Sequence, residues 1–80
     1  MTDITPAQCR AARALLNWAQ ADLAKDAQVA SKTISDFEKG ARIPRPENLV
    51  AIKTAFEATG VIFQDEGETT TGGVGVRLKK

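Results

Sequence analysis

Eighty residues with a formal net charge of +1 make one small domain, which buries only about 60% of its unfolded surface and so gains from a partner chain. One cysteine and no histidine exclude an internal disulfide and leave no ready zinc site or activated nucleophile, so no enzyme, metal or cofactor is expected. No run reaches the roughly 20 apolar residues of a membrane span, and the first ten residues, with Asp3, Thr5, Pro6 and Gln8, do not read as a signal peptide.

The first helix is predicted to open at Thr5-Pro6-Ala7-Gln8, an N-cap hydroxyl, a proline at the first helical position and a glutamine at the third. Cys9, Ala12, Leu15 and Leu16 recur at helical spacing through about Asn17. Cys9 reads as a small buried apolar residue, and Trp18, at the break, as a core plug rather than a stacking platform for bases. A second helix spans about Gln20 to Ala27, with Leu23, Ala24 and Ala27 on one face. Residues 28–30 form a turn with Val29 pointing inward. The third helix runs from about Ser31 to Lys39, buries Ile34 and Phe37, and stops at Gly40.

"ARIPRP" then reads as an extended connection, because proline removes a donor and disfavours helix at the residue before it. A fourth helix is predicted from Pro46 to Thr59, burying Leu49, Ile52, Ala55 and Phe56 and closed by Gly60. The tail changes period: residues 61–64 ("VIFQ") and 74–78 ("VGVRL") read as strands around an acidic, Gly- and Thr-rich loop. A lone two-stranded hairpin is marginal in water. It must lie on the helices or pair its edge with the same hairpin of a second copy, and the four-stranded sheet across a two-fold axis is the preferred reading. The fold class is thus mainly α, a four-helix bundle at residues 1–60 with a β-hairpin tail at 61–80 as a dimerisation element.

Charge is unevenly placed. Residues 1–30 balance Arg10, Arg13 and Lys25 against Asp3, Asp22 and Asp26, whereas residues 31–45 hold Lys32, Lys39, Arg42 and Arg45 against Asp36 and Glu38. A locally basic surface on a near-neutral protein can still grip phosphate. Two short helices joined by a three-residue turn form a helix-turn-helix, one helix crossing the DNA backbone while the next enters the major groove. Short polar side chains on the N-terminal outer face of the third helix, Ser31, Lys32, Ser35 and Asp36, suit that task and no core requires them.

The segment "QADLAKDAQVASKTISDFEKGARIP" resembles the Cro/cI-repressor (XRE-like) helix-turn-helix family, with Gln20, Leu23, Ala24, Val29, Thr33, Ile34, Ser35, Glu38 and Gly40 at the family's spacing. The resemblance covers about residues 5 to 60. It implies that Gln20 fixes the second helix against DNA, that Ser31, Lys32 and Ser35 or Asp36 read bases, and that Arg42 and Arg45 touch phosphate. It also implies an ion pair between Arg13 and Glu38. With Thr33 and Lys39, the candidate DNA-contacting set is Gln20, Ser31, Lys32, Thr33, Ser35, Asp36, Lys39, Arg42 and Arg45. Arg42 and Arg45 read equally as solvated loop charges, and Asp36 either accepts from a cytosine amino group or faces solvent.

Three positions depart from the family. Gln28 replaces the turn glycine, where left-handed backbone costs about 1 kcal/mol. Ala19 and Ala30 replace capping hydroxyls, at about 1 kcal/mol each. The function implied is a sequence-specific regulator of transcription, most simply a repressor, acting as a homodimer on a two-fold symmetric operator. It would be cytoplasmic, nucleoid-associated when bound to double-stranded DNA, with a further regulatory protein as a second partner. The alternative is a protein-interaction module, antiactivator or antitoxin-like, built on a decayed helix-turn-helix.

Overall fold

The computed structural model describes residues 4–64 and 75–78. Helix α1 (Pro6–Leu16) begins as its sequence dictates: the Thr5 hydroxyl accepts from the Gln8 N–H at 3.1 Å and the Gln8 side chain accepts from the Thr5 N–H at 2.9 Å. It ends one residue before the expected Asn17, which takes a left-handed conformation (φ 60°) and returns its N–H to the carbonyls of Arg13 and Ala14. Leu16 is half-buried, but Leu15 points outward and is 43% exposed. Helix α2 spans Gln20–Ala27 and α3 spans Ser31–Glu38. Helix α4 (Pro46–Glu57) is shorter than predicted, because Thr59 and Gly60 turn back onto the carbonyls of Phe56 and Glu57.

The turn between α2 and α3 takes left-handed backbone without a glycine. Gln28 sits at φ 61°, ψ 42°, donating its N–H to the Ala24 carbonyl. The left-handed strain of an L-residue is therefore carried rather than relieved by remodelling. Neither Ala19 nor Ala30 supplies a side-chain cap. Half of a capping box survives at α2, where the Asp22 carboxylate accepts from the Ala19 N–H at 2.9 Å.

Phe56, Leu23, Ile34, Ile52 and Cys9 are fully buried and join the four helices in one core. Ile4 and Val61, which helical periodicity did not single out, are buried with them. Trp18 fills the break between α1 and α2 as expected. It stacks on Phe56 with ring centroids 5.9 Å apart, and Phe63 meets the same ring edge-on at 5.8 Å. Such aromatic pairs add about 0.5–1.5 kcal/mol beyond the area they bury.

Strands β1 (Val61–Gln64) and β2 (Gly75–Leu78) are antiparallel, Val61 opposite Leu78 and Phe63 opposite Val76. Strand alternation sends Val61, Phe63 and Val76 to the helices and leaves Ile62 and Arg77, cross-strand partners, on the other face. Strand β2 lies against α1 and β1 against α4, so the hairpin lies on the helices. Val74, the acidic loop at 65–73, and Lys79 and Lys80 fall outside the described residues. Among the described residues, no helix is long and apolar enough to cross a membrane.

Candidate nucleic-acid interface

Helix α3 is fixed by what it buries. Ile34 and Phe37 enter the core, and the Glu38 carboxylate is buried beside them. Burying a carboxylate is costly unless it is paired and hydrogen-bonded, and here four bonds from three side chains meet it. Arg13 donates Nε to Oε2 and Nη2 to Oε1, each at 2.7 Å, Gln20 donates Nε2 to Oε1 at 3.1 Å, and Cys9 donates Sγ to Oε2 at 3.1 Å. Arg13 also holds the Trp18 carbonyl at 2.9 Å, and the Arg10 guanidinium donates to the Glu38 carbonyl at the end of α3.

Burial alone would raise the Glu38 carboxyl. The hydrogen bonds from Arg13, Gln20 and Cys9, with the Arg13 charge, outweigh it and hold the group below its usual value. Burial, then the Glu38 bond and charge, push the Cys9 thiol far up, so it is a donor here and not a nucleophile. The Arg13–Glu38 pair expected from the resemblance is present. The joining of Cys9 and Gln20 to it is new: the carboxylate ties α1, α2 and α3 at one point.

The same geometry gives Gln20, expected against the DNA backbone, a partner inside the protein. The residue is half-buried, and its amide donates to Glu38. The other side of α3 carries nothing of the core. Lys32, Asp36 and Lys39 succeed one another at i, i+4 and i+7, a single outer stripe opposite Ile34. Lys32 is 84% exposed, whereas Asp36 between the lysines is only 17% exposed. The Asp36 carboxylate pairs with Lys32 Nζ at 3.3 Å and with Lys39 Nζ at 3.9 Å. Ser31 is exposed at the start of the helix, and Thr33 and Ser35 flank the stripe, half-buried.

The connection after α3 folds back along that stripe. Gly40 turns at φ 75°, and the N–H groups of Ala41 and Arg42 both donate to the Asp36 carbonyl, at 2.9 and 3.3 Å. Pro44 is buried, while Arg42 and Arg45 remain exposed on either side of it. The result is an open groove of about 440 Å³ between α3 and the connection, which brings together Lys32, Thr33, Asp36, Arg42 and Arg45. Ser31, Ser35, Lys39 and Gln20 do not line it. Two groove residues escaped the sequence reading. Asn48 enters from α4, and Ile43 stands 84% exposed between the two arginines. An isoleucine before a proline in a basic loop was the available signal.

The helix-turn-helix family model matches residues 10–60. The chain belongs to the XRE/cI-type helix-turn-helix family. The family and fold are those of DNA-binding regulators. Among solved structures, the chain is similar to the DNA-binding domain of the P22 C2 repressor (residues 1–76, determined by nuclear magnetic resonance in solution). The TM-score is 0.61 and the identity 33%, over 71% of this chain and 76% of that one. No curated protein matches the chain. The family match takes in α2, the turn, α3 and the fold-back connection, so it spans the groove and the outer stripe described above.

Proposed function

We propose that this helix-turn-helix protein is a sequence-specific transcriptional repressor that binds a two-fold symmetric operator as a homodimer, with α3 in the major groove. The observation that carries the reading is the division of α3. Ile34, Phe37 and Glu38 anchor one side, while Ser31, Lys32, Asp36 and Lys39 are left for a partner beside Arg42 and Arg45. A major groove about 12 Å wide accepts one helix. The arginines flanking Pro44 serve phosphates, which contribute salt-dependent affinity, and α3 supplies the discrimination. Ser35 and Thr33 sit at the edge of that contact, and Gln20 acts mainly by holding α3 through Glu38. Half-sites are separated by about one helical turn, roughly 10 base pairs. Residues 1–60 form the DNA-binding unit, and the hairpin at 61–80 supplies the dimer contact through the face and edges that the helices leave uncovered.

Selection of bound duplexes from a random pool, followed by gel-shift titration at two salt concentrations, tests the whole reading. The expected result is a palindromic site whose affinity falls steeply with salt. A protein that binds no duplex and co-purifies tightly with another protein supports the antitoxin-like alternative instead. Deleting residues 61–80 would also uncover Phe56, because Phe63 packs on it. The cleaner test of the dimer is therefore Ile62→Glu, on the outward face. Sedimentation should show a shift toward monomer, and an unchanged dimer removes the hairpin from that role.

A further inference from the structure

A carboxylate in the middle of a phosphate-binding stripe is a liability unless something in the ligand compensates it. Asp36 occupies that place, between Lys32 and Lys39 and facing the groove that Arg42 and Arg45 line. Its partial burial at 17% exposure makes it less able than an outer side chain to swing away into solvent. Neither Ile34 nor Phe37 needs it, and the backbone carbonyl of residue 36, not the carboxylate, holds the connection. Its ion pairs are with Lys32 and Lys39 alone, both on the same outer stripe.

The pair it forms has a definite chemical pattern. Lys32 Nζ is a donor and Asp36 Oδ2 an acceptor, 3.3 Å apart. In the major groove a C·G pair shows the complementary pattern: the cytosine N4 amino group is a donor and the guanine O6 and N7 are acceptors. N4 and O6 of one base pair are themselves hydrogen-bonded, about 2.9 Å apart, so the two pairs match in spacing as well as in sign. An A·T pair also sets a donor, adenine N6, against an acceptor, thymine O4, at the same spacing. But its amino group is flanked by N7, an acceptor that repels a carboxylate, whereas cytosine N4 has only a C–H on that side. Phosphate fits worst of all, because a phosphate that takes Lys32 where it stands, 3.3 Å from Asp36, also meets the carboxylate.

We propose that Lys32 and Asp36 read one C·G base pair together, Asp36 accepting from cytosine N4 and Lys32 donating to the guanine edge, and that Asp36 lowers affinity for every duplex lacking that pair. The inference rests on α3 entering the major groove. It adds which base pair is chosen and makes the carboxylate a filter against unspecific binding.

The experiment uses the full chain and the duplex it selects from a random pool. Each C·G pair of the selected half-site is replaced in turn by T·A, A·T and G·C, and binding is measured by fluorescence anisotropy for the wild-type protein, Asp36→Ala and Asp36→Asn. One pair should stand out, its replacement weakening wild-type binding roughly tenfold or more. With Asp36→Ala the penalty at that pair alone should fall severalfold, to what the Lys32–guanine contact supplies, while Asp36→Asn, whose amide oxygen still accepts, should keep more of it. In both variants affinity for unrelated duplex rises severalfold as a phosphate-repelling charge is removed. Base replacements against the wild-type protein keep the test decisive should a variant fold poorly. Specific binding in which no C·G pair matters overturns the inference and leaves the proposed function standing. So does a penalty that stays undiminished in a folded Asp36→Ala variant. A wild-type protein that prefers no sequence overturns both.

Discussion

Replacing Arg13 with alanine tests the joint that orients α3. The change withdraws both 2.7 Å bonds to Glu38 and the 2.9 Å bond to the Trp18 carbonyl. Breaking a buried pair by removing one partner typically costs about 3–5 kcal/mol, because the other charge stays buried. The low end applies here: Cys9 and Gln20 still donate to Glu38, and the Arg13 side chain is 19% exposed, so water reaches its place. A loss of about 3 kcal/mol follows, a large part of the roughly 4–12 kcal/mol that a domain of this length holds. In temperature it amounts to a fall on the order of 15 °C in Tm.

Urea titrations read by the fluorescence of Trp18, the single tryptophan, measure it directly. The pH dependence supplies an independent check. In the wild type the Glu38 carboxyl is held below its usual value. Its contribution is therefore fully present above the unfolded carboxyl value of about 4.3 and is lost as pH falls through the folded one. Without Arg13 burial dominates and raises the folded value, so protonation at low pH relieves the variant instead. The stability gap between the two proteins should narrow as pH drops below about 4. A gap under about 1 kcal/mol at pH 7, or one that stays constant with pH, refutes the reasoning.

Gln28→Gly relieves a left-handed residue and should raise stability by about 0.5–1 kcal/mol in the same titration; a loss would mean the Gln28 side chain makes a contact that outweighs the strain. Iodoacetamide should label Cys9 only as fast as the protein unfolds, since burial and Glu38 suppress its thiolate, and labelling that outpaces unfolding contradicts the buried thiol. Arg42→Ala and Arg45→Ala should weaken binding to all duplexes alike and each lower the slope of log affinity against log salt by about one. A slope unchanged in both variants places the two arginines off the phosphates.

What the sequence made legible was local. Thr5, Pro6 and Gln8 lie within one turn, and their capping follows from residue type alone. The outward place of Ser31 and Lys32 follows from helical arithmetic once Ile34 and Phe37 are placed inward, but Ser35, read as part of the same face, is half-buried, and Lys39 completes the stripe instead. The groove did not follow, because it depends on Gly40 turning and on two N–H groups returning to the Asp36 carbonyl. Nor did the full Glu38 cluster, whose members Cys9 and Gln20 lie 29 and 18 residues away along the chain. Leu15 fitted the helical period yet faces solvent, since the apolar stripe of α1 is narrower than its spacing allows. The docking of the hairpin rests on Phe63 finding Phe56, a contact between elements that periodicity cannot see.

The two sides of α3 answer to separate demands. Substitutions at Ser31, Lys32, Asp36 and Lys39 disturb no side chain that holds the bundle together. On the proposed reading, a lineage carrying this scaffold exchanges its vocabulary of recognised sites while Ile34, Phe37 and Glu38 stay as they are. Changes on that surface cost at most the ion pairs of Asp36 and leave the core contacts in place, so targets diverge among descendants more freely than the architecture that presents them.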